Sequence, residues 1–88
     1  MNSPAITIYL AHWCPYCQRA LELLREKKLA FTVIDVDQDP ALRAEMVARS
    51  GRRTVPQIFF GERHLGGCDD LMAFDRSGEF DRLIQGDR

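Results

Sequence analysis

The order of strand-like and helix-like runs predicts an α/β fold, a mixed four-stranded sheet flanked by helices. Two short apolar runs, Ile6 to Leu10 and Phe31 to Val36, are each followed by a stretch whose apolar residues recur at helical spacing. Two strands joined through a helix form a parallel pair with a right-handed crossover. Further on, Gln57-Ile58-Phe59-Phe60 and Arg63-His64-Leu65 flank Gly61-Glu62, the pattern of a tight hairpin, which adds antiparallel neighbours.

Each element has its own warrant. Ile6 to Leu10 is β-branched at its start and apolar, as a mostly buried strand requires. The helix expected from Tyr16 to Lys28 puts Ala20, Leu21, Leu23 and Leu24 on one side and leaves Arg19, Glu22, Arg25 and Glu26 largely outside it. After the second strand, Asp39-Pro40 reads as an N-cap followed by proline at the first helical position. Leu42, Met46 and Val47 form that helix's apolar face, and Gly51 is its stop. Asp69 or Asp70 is expected to cap a last helical region through Leu71, Met72, Phe74, Phe80, Leu83 and Ile84, broken near Gly78. The order β-α-β-α-β-β-α is that of the thioredoxin-like architecture, and residues 1–88 are read as one domain ending in a loose tail, Gly86-Asp87-Arg88.

Composition narrows the function. The net charge is −1, which gives no basic field for nucleic acid, and the few aromatics do not alternate with Lys and Arg as a nucleic-acid platform requires. The apolar runs are far shorter than a membrane span, and Met1-Asn2-Ser3-Pro4 lacks the features of a secretory signal, so the expectation is a cytoplasmic monomer with no membrane contact. Three cysteines is an odd number, which argues against a fully paired disulfide framework.

The chemistry concentrates in three motifs. Cys14-Pro15-Tyr16-Cys17 opens the first helix, where free backbone N–H groups and the positive end of the dipole favour a thiolate at Cys14. Cys17, one turn further in, can attack a mixed disulfide formed at Cys14. The competing reading is half of a zinc site, with Cys68, His12 and His64 as the remaining candidate ligands and no second Cys-x-x-Cys among them. In Thr54-Val55-Pro56 the proline is either a first-strand residue or the site of a cis bond that turns the Val55 backbone toward Cys14, where it could pair with an extended peptide. Gly66-Gly67-Cys68-Asp69-Asp70 is either a glycine turn before a helix or a cradle in which amides hold a carboxylate and an Asp holds an ammonium. The γ-glutamyl end of glutathione carries that pair of groups. Cys68 is either a small apolar filler or a regulatory thiol, and His12 either a loop residue or a neighbour that tunes Cys14.

These three motifs in this order, preceded by Arg49-Ser50-Gly51-Arg52, resemble the bacterial dithiol glutaredoxins of class I over nearly the whole chain, Ile6 to about Leu83. The resemblance implies a glutathione-dependent disulfide oxidoreductase that needs no tightly bound cofactor or metal and uses glutathione as co-substrate. It implies that Cys14 is the nucleophile and Cys17 the resolving thiol. Val55 would bind the cysteinyl backbone of glutathione, with Thr54 and Pro56 also in the glutathione-binding set, Gly67, Cys68 and Asp69 would bind its γ-glutamyl end, and Tyr16 would flank it. Where many members carry a lysine three residues before the nucleophile, this chain has Ala11, and Arg53 is the candidate substitute for the glycyl carboxylate. The implied partners are proteins bearing disulfides or glutathione adducts, ribonucleotide reductase being one candidate. Two rival readings stand beside this one. Trp13 and Ala11 lean toward a thioredoxin-like donor reduced by a flavoprotein reductase. An iron–sulfur carrier sharing a cluster between two chains is opposed by Pro15 and the full dithiol.

Overall fold

A computed structural model describes residues 5–86, so Met1 to Pro4 and the tail residues Asp87 and Arg88 lie outside the described part of the chain. The elements are β1 (Ile6–Leu10), α1 (Pro15–Glu26), β2 (Phe31–Asp35), α2 (Pro40–Ser50), β3 (Gln57–Phe60), β4 (Arg63–Gly66), α3 (Cys68–Arg76) and α4 (Glu79–Ile84). The strands form one sheet in the order β2-β1-β3-β4. β1 runs parallel to β2, whereas β3 is antiparallel to both β1 and β4. This is the expected mixed sheet.

The two faces of the sheet have separate cores. Ile6, Ile8 and Leu10 of β1 pack with Cys17, Ala20, Leu21 and Leu24 of α1, Leu71 of α3 and Phe80 of α4. Tyr9, pointing the other way, packs with Phe59 of β3, Val36 and Met46 of α2. This is the period-two alternation of a strand buried on both sides. Helices α1, α3 and α4 therefore cover one face and α2 the other.

Several boundaries differ from the sequence expectation for local reasons. Helix α1 ends at Glu26, not Lys28, because Lys28 turns left-handed at φ 58°. Its N–H donates to the Arg25 carbonyl at 2.9 Å and the Leu29 N–H to the Leu24 carbonyl at 3.2 Å, the paired closing bonds of a Schellman motif. The second strand stops at Asp35, with Val36 continuing only through an N–H donated to Leu10 at 2.9 Å. The hairpin's second strand gains Gly66, and a register shift falls between Ile58 and Phe59. The last helical region, by contrast, is broken at Gly78 as expected, where φ 84° separates α3 from α4. Neither Asp69 nor Asp70 is the N-cap of α3. Gly67 holds that position, and Asp70 reaches back from inside the first turn to accept the Gly67 N–H at 3.0 Å. By contrast Asp39 caps α2 as expected, accepting the Ala41 N–H at 2.9 Å.

Lys27 ties the helical face together: its Nζ lies 2.6 Å from Asp75 of α3 and 2.8 Å from Asp81 of α4. Those carboxylates, with burial opposing them, hold its pKa above the usual lysine value.

An exposed lysine in the left-handed region costs backbone energy that glycine would not incur. Lys28→Gly is expected to raise the stability to denaturant by about 0.5–1 kcal/mol, after allowing for the larger unfolded-state entropy of glycine. A lowered denaturation midpoint would show that Lys28 makes a contact that outweighs its strain.

Candidate functional site

The strand directions gather the site at one edge of the sheet. Tyr9 pairs with Gln57 in the antiparallel β1–β3 ladder, so the chain leaving β1 and the chain entering β3 meet at the same end. β4 returns antiparallel to β3, with Gly66 opposite Ile58, and delivers Gly67 and Cys68 there too. β2 ends there as well, Asp35 lying opposite Leu10. Three motifs separated by tens of residues in sequence thus converge on the turn that carries Cys14.

Cys14 is the N-cap of α1, with extended backbone at φ −89° and ψ 116°. Its carbonyl accepts the Cys17 N–H at 3.1 Å and the Gln18 N–H at 3.2 Å, and its own N–H donates to Ala11 at 3.2 Å. Pro15 fills the first helical position, where the missing N–H is not needed. The Cys14 sulfur lies 3.8 Å from the Val55 carbonyl oxygen. Its side of the turn retains 4% exposure, against 0% for Cys17, so only Cys14 has any access from solvent. Burial, opposed by the Ala11 backbone N–H and reinforced by the Cys14 thiol beside it, pushes Cys17 up to about 12. Cys17 is therefore a protonated S–H at neutral pH, adjacent to the Cys14 sulfur. Ala11, where the family lysine is expected, is fully buried.

Beside Cys14 runs an open cleft lined by Tyr16, Arg52, Thr54, Val55, Pro56, Gln57, Gly67, Cys68, Asp69 and Asp70. The Val55–Pro56 peptide is cis. Among the described residues the Val55 N–H has no partner, which leaves it free to pair with an extended peptide. Gln57, although 99% buried, holds this segment: its Nε2 donates to the Thr54 carbonyl at 3.0 Å and to the Thr54 hydroxyl at 3.3 Å. Its Oε1 can only accept, so His64, 2.7 Å away, donates from Nε2. Burial first, and the Arg52 guanidinium second, hold His64 below its usual pKa.

The opposite wall is shaped by glycines. Gly66 adopts φ +109°, and a Cβ there would stand 2.5 Å from the Asp70 side chain. A Cβ on Gly67 would meet the Pro56 carbonyl at 3.3 Å, so the two walls touch closely where the cleft closes. Arg52 bridges them, its Nη1 lying 2.8 Å from Asp70 Oδ2. That guanidinium, followed by the Gly67 N–H, holds the Asp70 carboxyl below the ordinary range. Cys68 is 4% exposed, and burial raises its pKa.

Sequence reasoning placed Tyr16, Thr54, Val55, Pro56, Gly67, Cys68 and Asp69 at the site, and the structure brings all of them to the cleft. Arg53 is exposed and does not line it, whereas its neighbour Arg52 does. The supporting contacts Arg52–Asp70 and Gln57–His64 were not foreseen, because each joins residues whose proximity is decided by the strand order. Among the described residues no group of three or more His, Cys, Asp or Glu side chains is placed to hold a metal ion.

The comparisons agree with this geometry. The family model described as Glutaredoxin matches residues 6–65. A Pseudomonas aeruginosa protein named Glutaredoxin is 51% identical over 81 residues, covering 92% of this chain and 96% of its own. Glutaredoxin 3 of Escherichia coli strain K12 is 49% identical over 80 residues, covering 91% of this chain and 96% of its own. Among solved structures, the buckwheat glutaredoxin–glutathione complex superposes with a TM-score of 0.85 at 30% identity, covering 96% of this chain and 78% of that one. The chain belongs to the glutaredoxin family, within the thioredoxin superfamily, and is an enzyme of the glutathione-dependent disulfide oxidoreductase class.

Asp70's lowered pKa means that its contribution is complete above the usual carboxylate range and is lost as pH falls through its folded value. Removing the guanidinium in Arg52→Ala is expected to move the Asp70 titration midpoint upward, read by NMR at its side-chain carboxyl carbon. An unmoved midpoint would assign the effect to the Gly67 N–H alone.

Proposed function

We propose that this protein reduces both glutathione mixed disulfides and protein disulfides at Cys14 and Cys17, with glutathione as the electron donor. The observation that carries the reading is the asymmetry of the two thiols: Cys14 keeps solvent access at a helix N-terminus beside the cleft, while Cys17 is buried and held protonated next to it. A thiolate is the attacking species in disulfide exchange, and a helix N-terminus favours it.

With a mixed disulfide, the Cys14 thiolate attacks the glutathione sulfur. A new Cys14–glutathione bond forms, the old S–S bond breaks, and the client leaves as a thiolate. A second glutathione thiolate then attacks the glutathione sulfur on Cys14, giving glutathione disulfide and free Cys14. This route consumes one free glutathione: its sulfur passes from thiolate to disulfide as the client's sulfur passes from disulfide to thiolate. With a protein disulfide, Cys14 attacks one sulfur and releases the first client thiolate. Cys17 then attacks the Cys14 sulfur, its proton passing to the second client thiolate as that bond breaks. The Cys14–Cys17 disulfide is reduced by two glutathiones.

In the cleft, the free Val55 N–H and its carbonyl are suited to pair with the cysteinyl residue of glutathione, in the manner of a short added strand. At the start of α3 the Cys68 amide, with Asp69 beside it, suits its α-carboxylate and α-ammonium, while the Gly67 N–H is already taken by Asp70. Tyr16, 56% exposed at the rim, flanks the tripeptide. Arg53 makes no ion pair among the described residues and is the free cation available to the glycyl carboxylate at the Thr54 end. We place the enzyme in the cytoplasm, a reducing compartment in which its three unpaired thiols persist.

The two routes separate by mutation. Cys17→Ser is expected to keep turnover of the mixed disulfide of glutathione and 2-mercaptoethanol while losing insulin reduction. Cys14→Ser is expected to lose both, measured with glutathione, glutathione reductase and NADPH. Retained activity in Cys14→Ser would sink the assignment of the nucleophile, and turnover only with a thioredoxin reductase would favour the thioredoxin-like donor.

A further inference from the structure

The cleft occupies only one flank of Cys14. Its walls come from the segment before β3 and the start of α3, on the β3–β4 side of β1. On the other side lies β2, and a second group of contacts reaches across to it. Trp13 donates its indole N–H to Asp37 Oδ2 at 2.8 Å, in the loop between β2 and α2. The same carboxylate meets Arg43 of α2 at 3.1 Å, and Arg43 also donates to the Arg53 carbonyl at 3.5 Å. The Asp37 N–H donates to Asp35 at 2.9 Å, while the other Asp35 oxygen lies 3.3 Å from His12. Two side chains just before Cys14 are thus gripped by two carboxylates, one at the end of β2 and one in the loop that follows it. The cleft takes no part in this network.

The outcome at Trp13 is unusual for a tryptophan. Trp13 is 69% exposed, the most exposed of the large apolar residues among those described, yet its polar atom is already paired. A ring held in one orientation loses little side-chain freedom when a partner covers it, and its N–H needs no new acceptor. Tryptophans so placed are common anchors of protein interfaces. A glutathionylated protein that seats its glutathione in the cleft has the β2 flank as the remaining surface beside Cys14.

We propose that Trp13, held by Asp37, is the client-side contact of this enzyme: it takes an apolar side chain neighbouring the client's modified cysteine and so favours protein over small-molecule disulfides. Asp37 is a positioning residue that acts through Trp13. The proposal rests on the function proposed above, and its test is a ratio between substrates that does not depend on which reductant regenerates the enzyme.

Two short peptides, glutathionylated at a central cysteine flanked by Phe in one and by Ser in the other, are compared with the 2-mercaptoethanol adduct of glutathione. With dithiothreitol as reductant the ratio is read even where glutathione fails to regenerate the enzyme, so that failure counts against the earlier reading alone. Trp13→Ser is expected to lower kcat/KM for the Phe-flanked peptide about tenfold, the size of one interface anchor, and the small adduct by less than about twofold. Asp37→Ala should reproduce most of the loss and speed the fluorescence depolarisation of Trp13, the single tryptophan of the chain, with Asp37→Asn recovering part of both. Trp13→Phe, which keeps a ring in a fold-preserving change, should retain part of the preference. Equal losses on all three substrates, or no loss on the Phe-flanked peptide, would overturn the proposal.

Discussion

The antiparallel ladder between β1 and β3, in which Tyr9 lies opposite Gln57, is the constraint on which the site depends. It places the residues after β1 beside those before β3, and the return of β4 brings Gly67 and Cys68 to the same edge. The register is enforced by burial on both faces. A slip of one residue would turn Tyr9 toward α1 and Ile8 toward α2, exchanging a side chain paired with Glu45 and Arg49 for one that can make no such bonds. The dry, two-sided packing that stabilises the sheet is therefore also what aims the Val55 backbone at Cys14.

Within that frame the chemistry follows from unequal burial. Both thiols belong to the same buried cluster, yet Cys14, at the cap of α1, keeps a trace of exposure and Cys17, inside the helix, keeps none. Desolvation favours the protonated form of Cys17, so in the proposed mechanism it does not compete for the first attack and is held in reserve for the second. The cleft has a similar division of labour. Polar side chains that do not reach for a ligand, Gln57, His64 and the Arg52–Asp70 pair, fix the backbone of those segments that would. A preformed cleft loses less free energy to ordering when glutathione enters.

Much of this was legible in the sequence, and the failures share a cause. Patterning located three strands from their runs of β-branched and aromatic residues and the fourth from its place across the Gly61-Glu62 turn, and the Asp39-Pro40 cap is explicit. The helix ends were misjudged where a residue acts against its type: Lys28 takes a left-handed conformation that glycine normally supplies, and Asp70 caps α3 from within. The three motifs were visible because their residues are contiguous. The Trp13–Asp37 and Gln57–His64 contacts were not, since a side-chain pair across strands leaves no periodic signal in one sequence. Arg52 and Arg53 are adjacent and chemically identical, and only the backbone geometry before Thr54 separates the one that lines the cleft from the one that does not.

The convergence of the three segments on one bound tripeptide is tested most directly by NMR on the Cys17→Ser protein, before and after Cys14 is converted to its glutathione mixed disulfide. The backbone amides of Thr54, Val55, Gln57, Gly67, Cys68 and Asp69 are expected to shift most, together with slowed hydrogen exchange at the Val55 N–H. Shifts confined to the first turn of α1, with Val55 and Gly67 to Asp69 unmoved, would contradict the site and leave Cys14 a reactive thiol without a glutathione groove.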